Sequence, residues 1–336
     1  MKILIIAILF LNSSSYSQTI LNAYAKITAV NGAKTILTIS NVNEANHTFT
    51  VGGKVIIMQM QDNVIGTNTG NNNSFGNLSG IANAGNYEIR TIISCLPASG
   101  TPTSITLSSA LSNSFNTGAN SSAQIITFRD MGTNYTTSSN ITGLAWNGNI
   151  GGVIAFEVAN TLTLNHSITA DAIGFLGGLK SSNADESCDS AFYIGNDNKK
   201  GYKGEGIYKS TNTAYLNGRG KLLSGGGGGS QNNSGGAGGG NYSAGGSGGI
   251  GWGCTGASSG RGKGGISLSS VISGSRIFMG GGGGGGQQNN SVSTDGGNGG
   301  GIILIKAGTL VTNTICLSAI NITANGQSAS NSGNDG

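Results

Sequence analysis

The chain has 336 residues, 62 of them glycine and only two proline, and charged side chains make up 9% of it, against about 25% in an ordinary domain. Its formal net charge of +4 is small and scattered, with Lys199, Lys200 and Lys203 the nearest approach to a cluster, which excludes a phosphate-binding face and so a nucleic-acid partner. The polar surface must come from Asn, Ser, Thr and Gly, residues that favour turns, strand edges and hydrogen-bonded loops over helices.

Residues 1–17 have the layout of a secretory signal peptide. Lys2 supplies the positive start, Ile3–Leu11 a short apolar core, and Ser15 and Ser17 the small residues before a cut at Gln18. The apolar run is too short to cross a bilayer core of about 30 Å, which needs roughly 20 residues, and no later run is long enough either. Export to the exterior or the cell surface is therefore expected, with no transmembrane span.

Residues 18–146 read as a β-rich N-terminal domain. Ala25–Val30, Thr35–Ile39, Lys54–Met60, Tyr87–Ile93, Ser104–Leu107 and Gln124–Phe128 are strand candidates, rich in β-branched residues and partly alternating. Turn pairs such as Asn31-Gly32 and Gly52-Gly53 separate them. No segment keeps an apolar helical period. The polar interval Asn68–Gly80 reads as a long loop. A sandwich or a barrel-like domain fits this spacing.

Residues 147–336 are organised by an internal repeat, 151–171 and 300–325. Gly151-Gly152-Val153-Ile154-Ala155-Phe156-Glu157-Val158 is matched by Gly300-Gly301-Ile302-Ile303-Leu304-Ile305-Lys306-Ala307. Both cassettes continue through Thr-Leu to Ile-Thr-Ala, after a one-residue gap before Thr-Leu and an insertion after it. Ile154, Phe156, Val158, Leu162, Leu164, Ile168 and Ala170 share one parity and are predicted to face one interior. Ile303, Ile305 and Ala307 take the same places in the second copy, and Lys306 replaces Glu157 outside. Units with one apolar face gain stability by stacking, so a glycine-rich parallel β-solenoid-like region is expected and the fold class is all-β.

Between the copies lie the glycine tracts. Two readings stand for Gly225–Gly249, a flexible linker or bare strands packed side by side in a polyproline-II-like array. Gly280–Gly301 feeds directly into a strand and is expected to be ordered. Cys95, Cys188, Cys254 and Cys316 allow three disulfide pairings, and sequence alone does not choose among them. Cys188 and Cys254 both fall in loop-rich stretches, which favours a staple between them, while Cys316 sits in an apolar run as a buried thiol.

Several stretches carry a resemblance: Val55–Met60, Asn83–Glu88, Ala145–Gly148, Gly201–Gly206, and Gly280–Gly286 followed by Gln287-Gln288-Asn289-Asn290. In this order they resemble the N-terminal glycine-rich region of large secreted cell-surface proteins of Bacteroidetes, whose members commonly end in a type IX secretion sorting domain, often called gliding-motility-associated. The resemblance covers nearly the whole mature chain. It implies a surface location and an adhesive or structural role, and it brings no catalytic residues. Gly333–Gly336 looks like the opening of another glycine-rich segment with no sorting domain after it, so the chain is expected to be a piece of a longer protein or to reach the surface by another route. Asp189-Ser190-Ala191 resembles the O-glycosylation sequon of the same group, at Ser190.

Candidate chemistry is sparse. His47 and His166 lie at turns, no motif for a Ser-His-Asp site accompanies them, and both read as structural. Asp185, Glu186, Asp189 and Asp197 form an acidic cluster that could hold calcium through oxygen ligands or pair with Lys199 and Lys200; neither calcium-loop pattern is present. Glycine strings without a βαβ context exclude nucleotide binding, so no cofactor and no catalytic residue is assigned. Trp146 and Trp252 are candidates for stacking on sugar. The sequence thus points to a non-catalytic secreted structural or adhesion module, with a polysaccharide as the alternative partner through a carbohydrate-binding site, or a β-helix polysaccharide-degrading enzyme as a third reading.

Overall fold

A computed structural model describes residues 18–254, 260–290, 292–312 and 320–329. The signal-peptide stretch, Cys316 and Gly333–Gly336 lie outside the described residues. The fold is all-β, with a single 3-10 turn at Thr213–Tyr215 among the described residues.

Six antiparallel strands close a barrel: β2 (Tyr24–Val30), β3 (Ile36–Asn43), β4 (Lys54–Gln61), β5 (Tyr87–Leu96), β6 (Ser104–Leu107) and β7 (Ser122–Thr127), in the order β2-β3-β6-β5-β4-β7. Each corresponds to one predicted strand. The pleat divides their side chains. Ala25, Ile27, Val55, Ile57, Ala123 and Ile125 fill the barrel, while Tyr24, Ile56, Met58 and Ile126 face outward into a second core. Closure removes the free edges that an open sheet would expose.

The second core is the seam between barrel and stack. Among the described residues the stack has three rungs. The first holds β8 (Arg129–Asp130), β9 (Asn134–Thr136) and β10 (Ile141–Thr142); the second, β11 (Val153–Leu164) and β12 (Ile168–Thr169); the third, β13 (Ile302–Thr312) and β14 (Ile322–Thr323). All pair in parallel, and β1 (Thr19–Ile20) adds to β10 at the far side. The stack thus starts at Arg129, within the stretch read from sequence as the N-terminal domain, because strands of two or three residues carry no apolar alternation to mark them.

Rungs two and three pair in the register of the sequence repeat: Ile154 meets Ile303, Phe156 meets Ile305 and Leu162 meets Leu310. The one-residue gap is a β-bulge, where Ala159 and Asn160 oppose Gly308 between the Val158 and Thr161 pairs. All seven residues of matched parity in rung two lie in one core with Leu21 and Ile141, and Ile303, Ile305 and Ala307 pack against them. Each fully buried Ile, Leu or Phe contributes about 1.5–3 kcal/mol. β11 is buried on its other face too. Val153 and Ala155 join Tyr24, Ile56 and Ile126 in the seam.

Buried amides join the parts where strand pairing cannot. Asn22 donates to the Ala155 carbonyl (2.6 Å) and accepts from the Ala155 amide (3.1 Å), and Gln124 grips Gly151 in the same two ways at 2.8 and 2.9 Å. Gly151 has φ +107° and a Cβ there would overlap the Ala145 carbonyl, so only glycine admits this grip.

Between rungs two and three the chain leaves the stack and forms a bundle of extended glycine-rich segments. Gly201 donates to the Gly229 carbonyl, Gly229 to Gly285 and Gly285 to Tyr202, at 2.8–3.0 Å. Three residues along each segment the ring of bonds recurs: Gly204 to Gly226, Gly226 to Gly282, Gly282 to Glu205, each 2.9 Å. The spaces for absent side chains repeat with the same period. A Cβ on Gly225 or Gly228 would overlap carbonyls of Gly204 and Gly201, and one on Gly226 or Gly229 those of Ala237 and Ser234. A segment whose faces recur every third residue is a polyproline-II-type helix, which has no bonds within itself and must find them in neighbours. Ordered packing, not a loose linker, is the state of Gly225–Gly249. The loop at 68–80 is docked as well: Phe75 is buried and Asn71 accepts from the amides of Tyr193 and Ile194.

Neighbouring glycines provide a sharp test of this packing. A Cβ on Gly245 would overlap the Gly238 carbonyl, while one on Gly246 meets nothing within 4 Å. Gly245→Ala is expected to cost about 3 kcal/mol by overpacking, and Gly246→Ala to change stability by less than about 1 kcal/mol. Denaturant unfolding of the two variants measures the difference.

Candidate functional site

Two of the motif stretches meet at Trp146. Its ring is 2% exposed, lies edge-on to Phe175 at 5.9 Å, and its Nε1 donates to Glu205 Oε2 at 2.8 Å. A buried ring offers no face to a ligand, so Trp146 is not a glycan-stacking residue; it packs the seam. The same Glu205 oxygen accepts from the Leu176 amide. Burial raises the Glu205 pKa, opposed by the Trp146 and Leu176 hydrogen bonds. Lys203, two residues earlier on the same segment, is fully buried and gives its ammonium to the carbonyls of Tyr193, Asn217 and Gly218, with the Phe75 ring 5.4 Å away. Burial pulls its pKa well below the ordinary lysine range. The stretch Gly201–Gly206 therefore carries three glycines pressed against neighbouring backbone and two charged anchors, Lys203 buried and Glu205 half-buried, on one extended segment.

The acidic cluster is dispersed by local bonds. Asp185 accepts from Lys200 Nζ at 2.6 Å and from the Ser187 hydroxyl at 2.6 Å. Burial works to raise its pKa, but these bonds and the Lys200 charge outweigh it and hold the carboxyl below its usual range. Asp189 accepts from the Ala191 amide and Asp197 from the Lys199 amide, and Glu186 is exposed. Among the described residues no three His, Cys, Asp or Glu side chains are grouped to hold a metal ion. Ser190 is half-buried, its carbonyl accepting from Arg219. Cys188 and Cys254 form the expected disulfide, 66 residues apart in sequence, and Cys95 is a free thiol whose pKa burial and Glu44 raise.

One charged cleft escaped the sequence reading. It lies between the barrel and the stack, has a volume of about 250 Å³, and is lined by His47, Lys54, Arg129, Asp130 and Glu157. Strand register builds it. Asp130, Glu157 and Lys306 stand in one row across the three rungs, and Lys54 at the start of β4 reaches over from the barrel to Glu157 at 2.5 Å, with Lys306 at 3.8 Å. Burial and then the Arg129 charge lower the His47 pKa, and its buried Nδ1 has no hydrogen-bond partner. Glycosidases aim two carboxyls at one sugar bond. Here Glu157 is engaged by two ammonium groups and Asp130 accepts from the Gly132 amide, so both carboxyls are held in local bonds. Its residues come from four separate stretches, and only the exchange of Glu157 for Lys306 within the repeat pointed toward it.

The exposed rings lie on the glycine bundle. Trp252 is 70% and Tyr242 71% exposed. Each is fixed through its backbone, the Trp252 amide donating to the Asn232 carbonyl and the Tyr242 carbonyl accepting from Ser267. No helix among the described residues is long and apolar enough to cross a membrane. No protein family, curated protein or solved structure matches the chain.

Two outcomes follow from these bonds. A carboxyl whose folded-state pKa is raised stabilises the fold fully below its ordinary value of 4.5, and that contribution is lost as pH rises through the folded value. Thermal unfolding of Glu205→Gln is therefore expected to match the parent in acid and exceed it near neutral pH, because the amide still accepts from Trp146 without a buried charge. Reducing the Cys188–Cys254 bridge is expected to remove roughly 4 kcal/mol of stability, the chain-entropy value for a loop of this length, measured by unfolding with and without reductant.

Proposed function

We propose that the chain is a non-catalytic module of the cell exterior, structural or adhesive, exported through residues 1–17. The observation that carries this reading is the glycine bundle, whose segments interlock backbone to backbone and are braced by a disulfide. Such packing makes a stiff body with little side-chain chemistry inside it, and disulfides persist in oxidising compartments. The resemblance to Bacteroidetes surface proteins points the same way. Deleting the gene is expected to reduce attachment of cells to a surface and to each other, with recovery on complementation; unchanged attachment and unchanged surface organisation in the deletion strain would remove the proposal.

A second reading is carbohydrate binding, supported by the exposed Trp252 and Tyr242 rings and by the charged cleft, where Arg129 stands beside the Lys54–Glu157 pair. On a glycan array the parent is expected to bind polysaccharides bearing uronate groups. Trp252→Ala and Tyr242→Ala are each expected to weaken that binding by about threefold to tenfold, the worth of one aromatic contact. An array with no bound glycan sinks this second reading and leaves the first standing.

A further inference from the structure

The third rung is finished on one side only. Among the described residues nothing pairs with the outer edges of β13 and β14, which end their sheets. Register-matched residues show the consequence. Leu162 and Ile168 in rung two are 0% exposed, while their partners Leu310 and Ile322 in rung three are 52% and 42% exposed. Beside this edge runs a groove of about 680 Å³, lined by Tyr242, Ile272, Phe278, Ile303 and Ile322 and floored by bare glycine backbone.

Stacking in this protein has a direction. Asn134 Oδ1 in rung one accepts from the Thr161 amide of rung two (3.2 Å), and Asn140 Oδ1 accepts from the Ser167 amide (3.1 Å). One rung further, Ser167 Oγ accepts from the Asn321 amide (3.1 Å) and Asp171 Oδ1 from the Asn325 amide (2.6 Å). At these corners the earlier rung supplies a side-chain oxygen and the later rung a backbone N–H. Rung three carries Asn325 in the register place of Asp171, so it has a side-chain oxygen at the same corner. Its charge is also set for a successor. In the row Asp130, Glu157, Lys306, the final ammonium is 75% exposed.

We propose that the β13–β14 edge is a docking site for one further parallel rung supplied by another polypeptide: an extended segment led by glycines, apolar at alternate positions, with a carboxylate opposite Lys306. Addition is by strand augmentation. Main-chain hydrogen bonds hold the segment, and the alternating pockets and Lys306 select it. Leading glycines are required because the groove beside Ile303 is floored by the backbone of Gly280, Gly281, Gly299 and Gly300.

The chain's own second rung has this chemistry, since Glu157 occupies the place that would face Lys306. A fluorescein-labelled peptide of residues 151–171 is titrated with the intact protein and followed by anisotropy. Saturable binding is expected, about tenfold weaker to Lys306→Glu, the effect of setting like charges opposite each other. A peptide with Glu157→Lys is expected to prefer the Lys306→Glu protein over the parent. Three results would overturn the proposal: no saturable binding, equal binding of a scrambled peptide, or charge variants that leave affinity unchanged. Sedimentation of the protein alone is the remaining arm. Dimerisation abolished by Lys306→Glu would assign this edge to a second copy and count against the proposal, whereas a protein that stays monomeric while binding the peptide supports it.

Discussion

Contact between bare backbones governs this molecule. In the bundle, one extended segment approaches another so closely that a single Cβ would overlap a carbonyl oxygen, as at Gly225 against Gly204 and Gly284 against Gly227. Ordering a glycine costs about 0.5–1 kcal/mol more than ordering an alanine, and each hydrogen bond formed returns a net of about 0.5–1.5 kcal/mol. Fixing the backbone of a residue costs about 1–2 kcal/mol in all, which one such bond does not offset, so no pair of segments is stable alone. The lattice holds because each segment bonds to several others at once, and because side chains fix its rim: Lys203 on three carbonyls, Lys200 on Asp185, and the Cys188–Cys254 bridge.

The barrel supplies what the bundle lacks. Its strands β4 and β7 are buried on both faces, one set of side chains closing the barrel and the other forming the floor on which rung two and the bundle rest. Trp146, Phe175, Met279 and Phe278 fill that seam from the other side. Glu205 and Trp146 are the polar fastening within it, a half-buried carboxyl and an indole N–H that satisfy each other. The charged cleft with His47 and Glu157 lies at the rim of the same seam, where the packed apolar layer ends.

Much of the architecture is legible in the residues themselves. The strand candidates of the first domain all became barrel strands, because β-branched runs bounded by turn pairs specify both element and ends. The repeat predicted a register, down to the bulge at Ala159 and Asn160, because parity errors would put Phe156 or Ile305 in water. Rung one stayed hidden, since Arg129–Asp130 and Ile141–Thr142 are too short to show a period. Trp146 was misread because nothing in one sequence says which face of a turn meets a buried carboxylate. The cleft stayed hidden for a related reason: parallel register, not sequence proximity, sets Asp130 beside Glu157. The glycine tracts left two readings open because a three-residue period of empty faces leaves no trace in a run made of one residue.

The bundle is an excursion made between two rungs that touch. Ser167 and Asn321 are hydrogen-bonded across a sequence separation of 154 residues, so the pairing of β13 with β11 closes a loop that contains the whole bundle. Closing a loop of that length costs more conformational entropy than closing the short turns of the barrel. Rung three thus latches the two ends of that excursion together, and without it β11 would present a long unpaired edge to its neighbours.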